Sequence, residues 1–216
     1  MITINSLNLT INNNMILEDI DLNFQDGEIY GLVGNNGCGK TMLMKCICGF
    51  VKPSSGKVVC DNKVIGKDID YLHGAGVIIE SPVFIPYYSG FKNLKILAQI
   101  SRRIDDAGIR SSMTRCGLDP DLKLSVRKYS LGMRQRLALA QAIMEEPGIL
   151  ILDEPMNGLD IDGIREIREL LFRYKENGCL IILASHNAED IKLLCDKVIR
   201  MDKGRVIEAY NVSSSV

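Results

Sequence analysis

Between an apolar run, Ile29 to Val33, and a second apolar run, Met42 to Cys48, the chain places Gly34-Asn35-Asn36-Gly37-Cys38-Gly39-Lys40-Thr41. Two glycines, Gly34 and Gly39, with Lys40 and the Thr41 hydroxyl fill every fixed position of the pattern G-x-x-x-x-G-K-[ST]. The first run reads as a buried strand and the second as a helix, so the loop is a strand-to-helix turn at the carboxyl end of a sheet. This constrains the fold more than any other segment, because it requires a parallel α/β core behind it. The physics of such a loop is that of an anion cradle. Glycines let backbone N–H groups wrap phosphate oxygens, and the helix N-terminus adds its partial positive charge. Lys40 reaches the outer phosphates, and Thr41 offers a hydroxyl to Mg²⁺.

Two further clusters build on the loop. Gly148-Ile149-Leu150-Ile151-Leu152 is a continuous apolar run that ends in Asp153-Glu154-Pro155, as a strand buried on both faces would when it delivers acids at the ligand edge of a sheet. Asp153 can hold a hydrated Mg²⁺, and Glu154 can orient or deprotonate the water that attacks a phosphoryl group. Upstream, Tyr129-Ser130-Leu131-Gly132-Met133-Arg134-Gln135-Arg136 precedes a helical run from Leu137 to Glu146. Ser130 is a good N-cap and Gly132 permits close backbone approach at a helix start.

These motifs in this order resemble the ATP-binding-cassette ATPases. The signature of that family, roughly Leu-Ser-Gly-Gly-Gln, is matched at Ser130 and Gly132 and departed from at Tyr129, Leu131 and Met133. Asn157-Gly158-Leu159-Asp160 resembles the family's loop across a dimer seam, and Ser185-His186, after the strand Cys179 to Ala184, resembles its switch histidine. The resemblance implies ATP and Mg²⁺ as cofactors. Nucleotide contacts are implied at Gly34, Asn35, Asn36, Gly37, Cys38, Gly39, Lys40, Thr41 and Met42, completed by Ser130, Gly132 and Asp160. Catalytic roles are implied for Glu154, His186 and Lys40, and metal contacts for Thr41, Asp153 and Glu80. It further implies a homodimer or paired cassette when ATP is bound, an integral membrane transporter subunit as partner, and a cytoplasmic location at the inner face of the membrane.

Departures narrow the reading. Where most members carry a glutamine, Gly76-Val77-Ile78-Ile79-Glu80-Ser81-Pro82 brings Glu80, and with Ser-Leu-Gly-Met in the signature this resembles the bacitracin-resistance and lantibiotic-immunity branch. Ile11 stands where the family usually stacks an aromatic ring on adenine, which predicts weak discrimination between ATP and GTP. The run Val83-Phe84-Ile85-Pro86-Tyr87-Tyr88 is a candidate docking surface for the membrane subunit, against the plainer reading of internal packing.

Composition fits one domain spanning 1–216: 46% hydrophobic and 25% charged residues are ordinary for a globular chain of this length. A net charge of −1 without a basic stripe gives no electrostatic footprint for nucleic acid. Seven cysteines without a C-x-x-C pair, and no secretory run at the start, argue against a disulfide framework and for a reducing compartment. Cys46 and Cys48 suit core packing. Cys38 lies inside the loop, where oxidation would obstruct nucleotide, although a bystander thiol is the simpler reading. No apolar stretch approaches the eighteen or so residues of a membrane helix.

The expected fold is therefore α/β, a P-loop NTPase of the cassette type. It has a mostly parallel core sheet, an antiparallel β entry, a helical subdomain at about 90–130 and a frayed tail at Ser213-Ser214-Ser215. A DNA-maintenance or regulatory ATPase with the same clamp is the alternative. Only 112 residues separate Lys40 from Asp153, too few for a long coiled coil. A GTPase switch would want Asn-Lys-x-Asp, and Asn62-Lys63-Val64-Ile65 lacks the acid. His73 has no ligand partners at useful spacing.

Overall fold

The computed structural model describes residues 1–80 and 83–212; Ser81, Pro82 and the Ser213-Ser214-Ser215 tail lie outside the described residues. Antiparallel β1 (Ile2–Ile11) and β2 (Asn14–Phe24) join β4 (Ser55–Cys60) and β5 (Lys63–Val64) in a four-stranded sheet of order β2-β1-β4-β5. The second sheet has six strands in the order β10-β9-β3-β8-β7-β6. Its members are β3 (Ile29–Val33), β6 (Ala75–Ile78), β7 (Ile149–Asp153), β8 (Leu180–Ala184), β9 (Lys197–Asp202) and β10 (Arg205–Asn211). All its pairings are parallel except β9 with β10.

The strand period of two sorts the central strands into two cores. Leu150, Leu152, Ile181 and Leu183 face one cluster, which holds α4 (Leu131–Ile143) and α5 (Ile161–Glu176). Ile149, Ile151, Leu180, Ile182 and Ala184 face the other, where α1 (Lys40–Cys48) is clamped between the two sheets through Leu43, Met44 and Ile47. Burial on both faces explains why β7 and β8 read as continuous apolar runs. Cys46 and Cys48 belong to that second core, and burial pushes their thiols up to about 11 and about 12.

Residues 90–128 carry α2 (Gly90–Ser101), α3 (Asp106–Arg115) and a 3₁₀ turn, Val126–Lys128. Leu94, Ala98, Ile109 and Met113 pack them on α4. Helix α4 begins at Leu131, where the cap read at Ser130 puts it: the Ser130 hydroxyl accepts from the Met133 N–H at 3.1 Å. The polar residues Arg134, Gln135 and Arg136 thus lie inside the helix, ahead of the apolar run from Leu137. The last helix is α6 (Ala188–Leu194). Among the described residues, no helix is long and apolar enough to cross a membrane.

Candidate functional site

Five of the six described α-helices start with a side-chain cap: Ser89, Asp105, Ser130, Asp160 and Asn187 each accept from an N–H of the first turn. Helix α1 does not. Its N-cap is Gly39 at φ 110°, with no side-chain acceptor and no acid in the first turn. That φ lies in a region L side chains rarely adopt, and a Cβ at Gly39 would also meet Leu17 at 2.8 Å. The loop therefore turns tightly over β2 and leaves the first N–H groups of a helix unclaimed by any side chain, as an anion site requires. Gly37, at φ 80° with nothing within 4 Å of an added Cβ, is the open lip of the same cradle.

Asn35, Asn36 and Gly37 are exposed, whereas Cys38, Gly39 and Lys40 are buried. The Lys40 ammonium folds back over the loop, donating to the Gly34 carbonyl at 2.7 Å and the Asn35 carbonyl at 3.3 Å, with the Cys38 Sγ at 3.8 Å. It is a cation held by neutral carbonyls, with no carboxylate among its hydrogen-bond partners. Thr41 donates its hydroxyl to Asp153 Oδ2 at 2.8 Å, joining the helix start to the end of β7 across 112 positions of sequence. Met42, next along α1, is half-buried against the core between the sheets.

Glu154 follows with φ 51°, a left-handed conformation uncommon for a glutamate, held by its N–H donating to the Ala184 carbonyl at 3.0 Å. The turn aims its carboxyl across the strand ends. Oε2 accepts from the His186 backbone N–H at 3.4 Å. Oε1 lies 3.4 Å from His186 Nε2 but makes no directed hydrogen bond, so it is a buried oxygen without a partner. Burial pushes the Glu154 carboxyl above its ordinary range, against the pull of His186.

The segment from Tyr129 to Arg136 lies against the acid strand. Gln135 Nε2 donates to the Glu154 and Pro155 carbonyls at 3.2 and 2.9 Å. A Cβ on Gly132 would meet the Gly158 carbonyl at 2.8 Å. Ser130 and Leu131 stand exposed, and Asp160 is exposed as well, capping α5 by accepting from the Gly163 N–H at 2.9 Å.

Glu80, at φ 61°, pairs with Lys45 of α1 at 2.6 Å, one helical turn beyond Thr41, and does not bond to Thr41 or Asp153. Gln135 and Lys45 join this neighbourhood with no role assigned to them from the sequence. The signal for Lys45 was available, since it stands four positions after Thr41 and so shares its helix face. Ile11 is 39% exposed in the β1–β2 hairpin, near the more open Met15.

A family model described as "ABC transporter" matches residues 17–157, from the strand against Gly39 through both acids to Asn157. The chain belongs to the ABC transporter family. It is 41% identical over 206 residues to the uncharacterized ABC transporter ATP-binding protein YybJ of Bacillus subtilis (strain 168), covering 95% of this chain and 94% of that protein. It is 39% identical over 200 residues to the bacitracin transport ATP-binding protein BcrA of Enterococcus faecalis, covering 92% of this chain but only 65% of the relative. The lantibiotic transport ATP-binding protein SrtF of Streptococcus pyogenes is 32% identical over 96% of this chain and 89% of its own length. The fold superposes on that of the ATP-binding cassette MJ0796, solved as a dimer with ADP and phosphate, with a TM-score of 0.88 at 19% identity over 99% of this chain and 100% of that one. The bacitracin and lantibiotic resemblance read from Glu80 and the signature thus agrees with the relatives of this ABC chain.

Proposed function

We propose that this chain is the ATP-hydrolysing subunit of an ABC transporter. It would bind Mg·ATP between its own Gly34 to Thr41 loop and the Ser130 to Gly132 segment of a second cassette, and couple hydrolysis to a separate membrane subunit. The observation that carries the reading is the uncapped start of α1, ringed by Lys40, the Thr41–Asp153 hydrogen bond and the partnerless Glu154 oxygen. Phosphate release from Mg·ATP by the purified chain tests it. No release above buffer, alone or with a co-expressed membrane subunit, would sink it.

The residues fit the nucleotide and its metal. Mg²⁺ needs few protein ligands because it keeps waters and phosphate oxygens, and Thr41 with Asp153 supply a hydroxyl and one carboxylate. Held there, Mg²⁺ would supply neutralisation of the charge on the outer phosphates. Lys40 exchanges two carbonyls for phosphate oxygens, gaining charge-assisted bonds. Glu154 Oε1, unsatisfied and aimed across the strand ends, accepts from the attacking water and orients it. We assign His186, whose Nε2 lies 3.4 Å from that carboxylate, to contact with the γ-phosphate. Glu80 senses the γ-phosphate side and, through Lys45, is tied to α1. Residues 1–216 work as one nucleotide-binding domain in which the helices at about 90–130 form the part that faces the membrane subunit, at the inner face of the membrane. Export of antimicrobial peptides or drugs is the transport class we infer from the bacitracin and lantibiotic relatives.

Glu154 must be ionised to accept a proton, so turnover falls as pH drops through its folded pKa. Because burial raises that pKa in the free chain, the acid limb of the kcat/KM profile is expected to have its midpoint above 4.5, the group's ordinary value, with circular dichroism confirming the fold across the range. A midpoint at or below 4.5 would remove Glu154 from the titrating step.

The run at 83–88 has two sides. Phe84 packs against the core under α4, while Val83, Ile85 and Tyr87 are exposed, Val83 almost fully. The internal-packing reading therefore holds for Phe84, and the docking surface is Val83, Ile85 and Tyr87. Tyr87→Asp is expected to fold and hydrolyse ATP as the parent does but to lose co-purification with the membrane subunit. Phe84→Asp is expected to lose folding instead. Unchanged co-purification of Tyr87→Asp would take the run out of the interface.

A further inference from the structure

Among the described residues, Asp190 is the one buried acid, at 2% exposure. An isolated carboxylate there would be costly, so its partners matter. Arg168 of α5 donates to its Oδ1 from both Nε, at 3.0 Å, and Nη2, at 2.5 Å. The Ser185 hydroxyl donates to its Oδ2 at 3.2 Å, and the same oxygen of Ser185 accepts from the Asn187 N–H at 3.1 Å. Arg168 also approaches Glu189 at 3.6 Å, on the exposed side of α6. Ser185 and Asn187 flank His186. One buried hydroxyl thus grips the turn on both sides of the histidine, and one buried ion pair grips the hydroxyl.

The other end of this chain of contacts is equally specific. Arg168 stands eight positions into α5 from Asp160, about 12 Å along the axis at 1.5 Å per residue. Helix α5 starts at the exposed turn that packs on Gly132, so the seam-facing loop and the histidine turn are joined through a single arginine. Nothing in the fold itself demands a charge here, since the surrounding α5–α6 contact is apolar through Ile167, Ile191 and Leu194. A buried ion pair is weak evidence of stability but good evidence of a fixed geometry.

We propose that Arg168 and Asp190 are positioning residues for His186, acting through Ser185 to hold the histidine on Glu154 and to make its aim depend on the placement of α5. The proposal rests on the reading of His186 given above and adds how that residue is held. Arginine suits the role because its planar fork bonds one carboxylate oxygen twice, which a lysine cannot do.

The experiment is a double-mutant cycle on the full chain, following Mg·ATP turnover as kcat and KM with melting temperatures alongside. Ser185→Ala removes the relay yet leaves the Arg168–Asp190 pair in place, so it is the variant least exposed to unfolding. It is expected to lower kcat about tenfold with KM for ATP nearly unchanged. In a His186→Ala background it is expected to lower kcat no further, because its effect passes through the histidine. Arg168→Met, corrected for the folded fraction, should fall by a similar factor, and Arg168→Lys should recover part of it. Equal losses from Ser185→Ala in both backgrounds, or no loss in either, would overturn the proposal. Wild-type turnover of Arg168→Met per folded molecule would overturn the link to α5. Wild-type turnover of His186→Ala would overturn the role of the histidine itself, an outcome distinct from a slow His186→Ala beside an unaffected Ser185→Ala.

Discussion

Glu154→Gln is expected to bind Mg·ATP with about the parent's affinity and to hydrolyse it about 10²–10⁴-fold more slowly, the usual worth of a positioned proton acceptor. That loss equals roughly 3–5 kcal/mol of barrier. The substitution is a clean probe here because it changes so little else. Glutamine keeps the volume and tolerates the same left-handed backbone at φ 51°. Its carbonyl oxygen also retains the acceptor facing the His186 N–H. What it loses is the buried oxygen with no partner, the group best placed to take a proton from water. Lys40→Ala, by contrast, should lose nucleotide binding itself, since it removes the charge that would replace carbonyls with phosphate oxygens. Fluorescent ATP titration and steady-state phosphate release separate the two. Wild-type turnover by Glu154→Gln would end the assignment of the base, and tight binding by Lys40→Ala would end that of the phosphate cation.

Assembly gives the second large effect. With ATP, Glu154→Gln is expected to pass from monomer to dimer in size-exclusion chromatography, and with ADP to remain a monomer. The reasoning starts from exposure. Leu131 and Ile161 are 55% and 87% exposed, on either side of the Gly132–Gly158 contact and beside exposed Ser130 and Asp160. Apolar side chains at a polar loop pair of this kind mark a surface that another protein covers. The uncapped start of α1 offers N–H donors to the nucleotide's phosphates from one side, and the capped start of α4 offers Ser130 and a glycine backbone from the other. Gly132→Val in the same Glu154→Gln chain tests the geometry. A side chain at that position meets the Gly158 backbone at 2.8 Å, so the loop pair must separate. The double variant is expected to bind ATP at its own loop yet dimerise at least about tenfold more weakly, or 1.4 kcal/mol. A dimer unaffected by Gly132→Val, or one formed equally with ADP, would move the interface elsewhere.

The sequence by itself determined the parts whose physics is local. Eight consecutive residues specify the phosphate loop, because its conformation needs glycines at Gly34, Gly37 and Gly39 whatever surrounds it. The acid strand declares itself through an unbroken apolar run, since burial on both faces leaves no room for alternation. The resemblance in motif order then carried Ser130, Gly132, Asp160 and His186. The start of α4 is equally local, since Ser130 is a cap residue standing ahead of the apolar run from Leu137.

Only the tertiary structure decided what meets what. The lateral order β3-β8-β7-β6 brings Thr41 to Asp153, Lys45 to Glu80, and Glu154 to the backbone of His186. No window of sequence holds both members of any of these pairs. Glu80 shows the difference well: the resemblance implied a metal contact for it, and the fold adds an ammonium partner, Lys45, on the next turn of α1. Arg168 and Asp190, 22 positions apart, meet only because α5 and α6 pack face to face. A side chain's chemistry is written in its own code, but the field around it comes from elements far away in the chain, and those are brought into place by burial of apolar surface that many arrangements of the same residues would share.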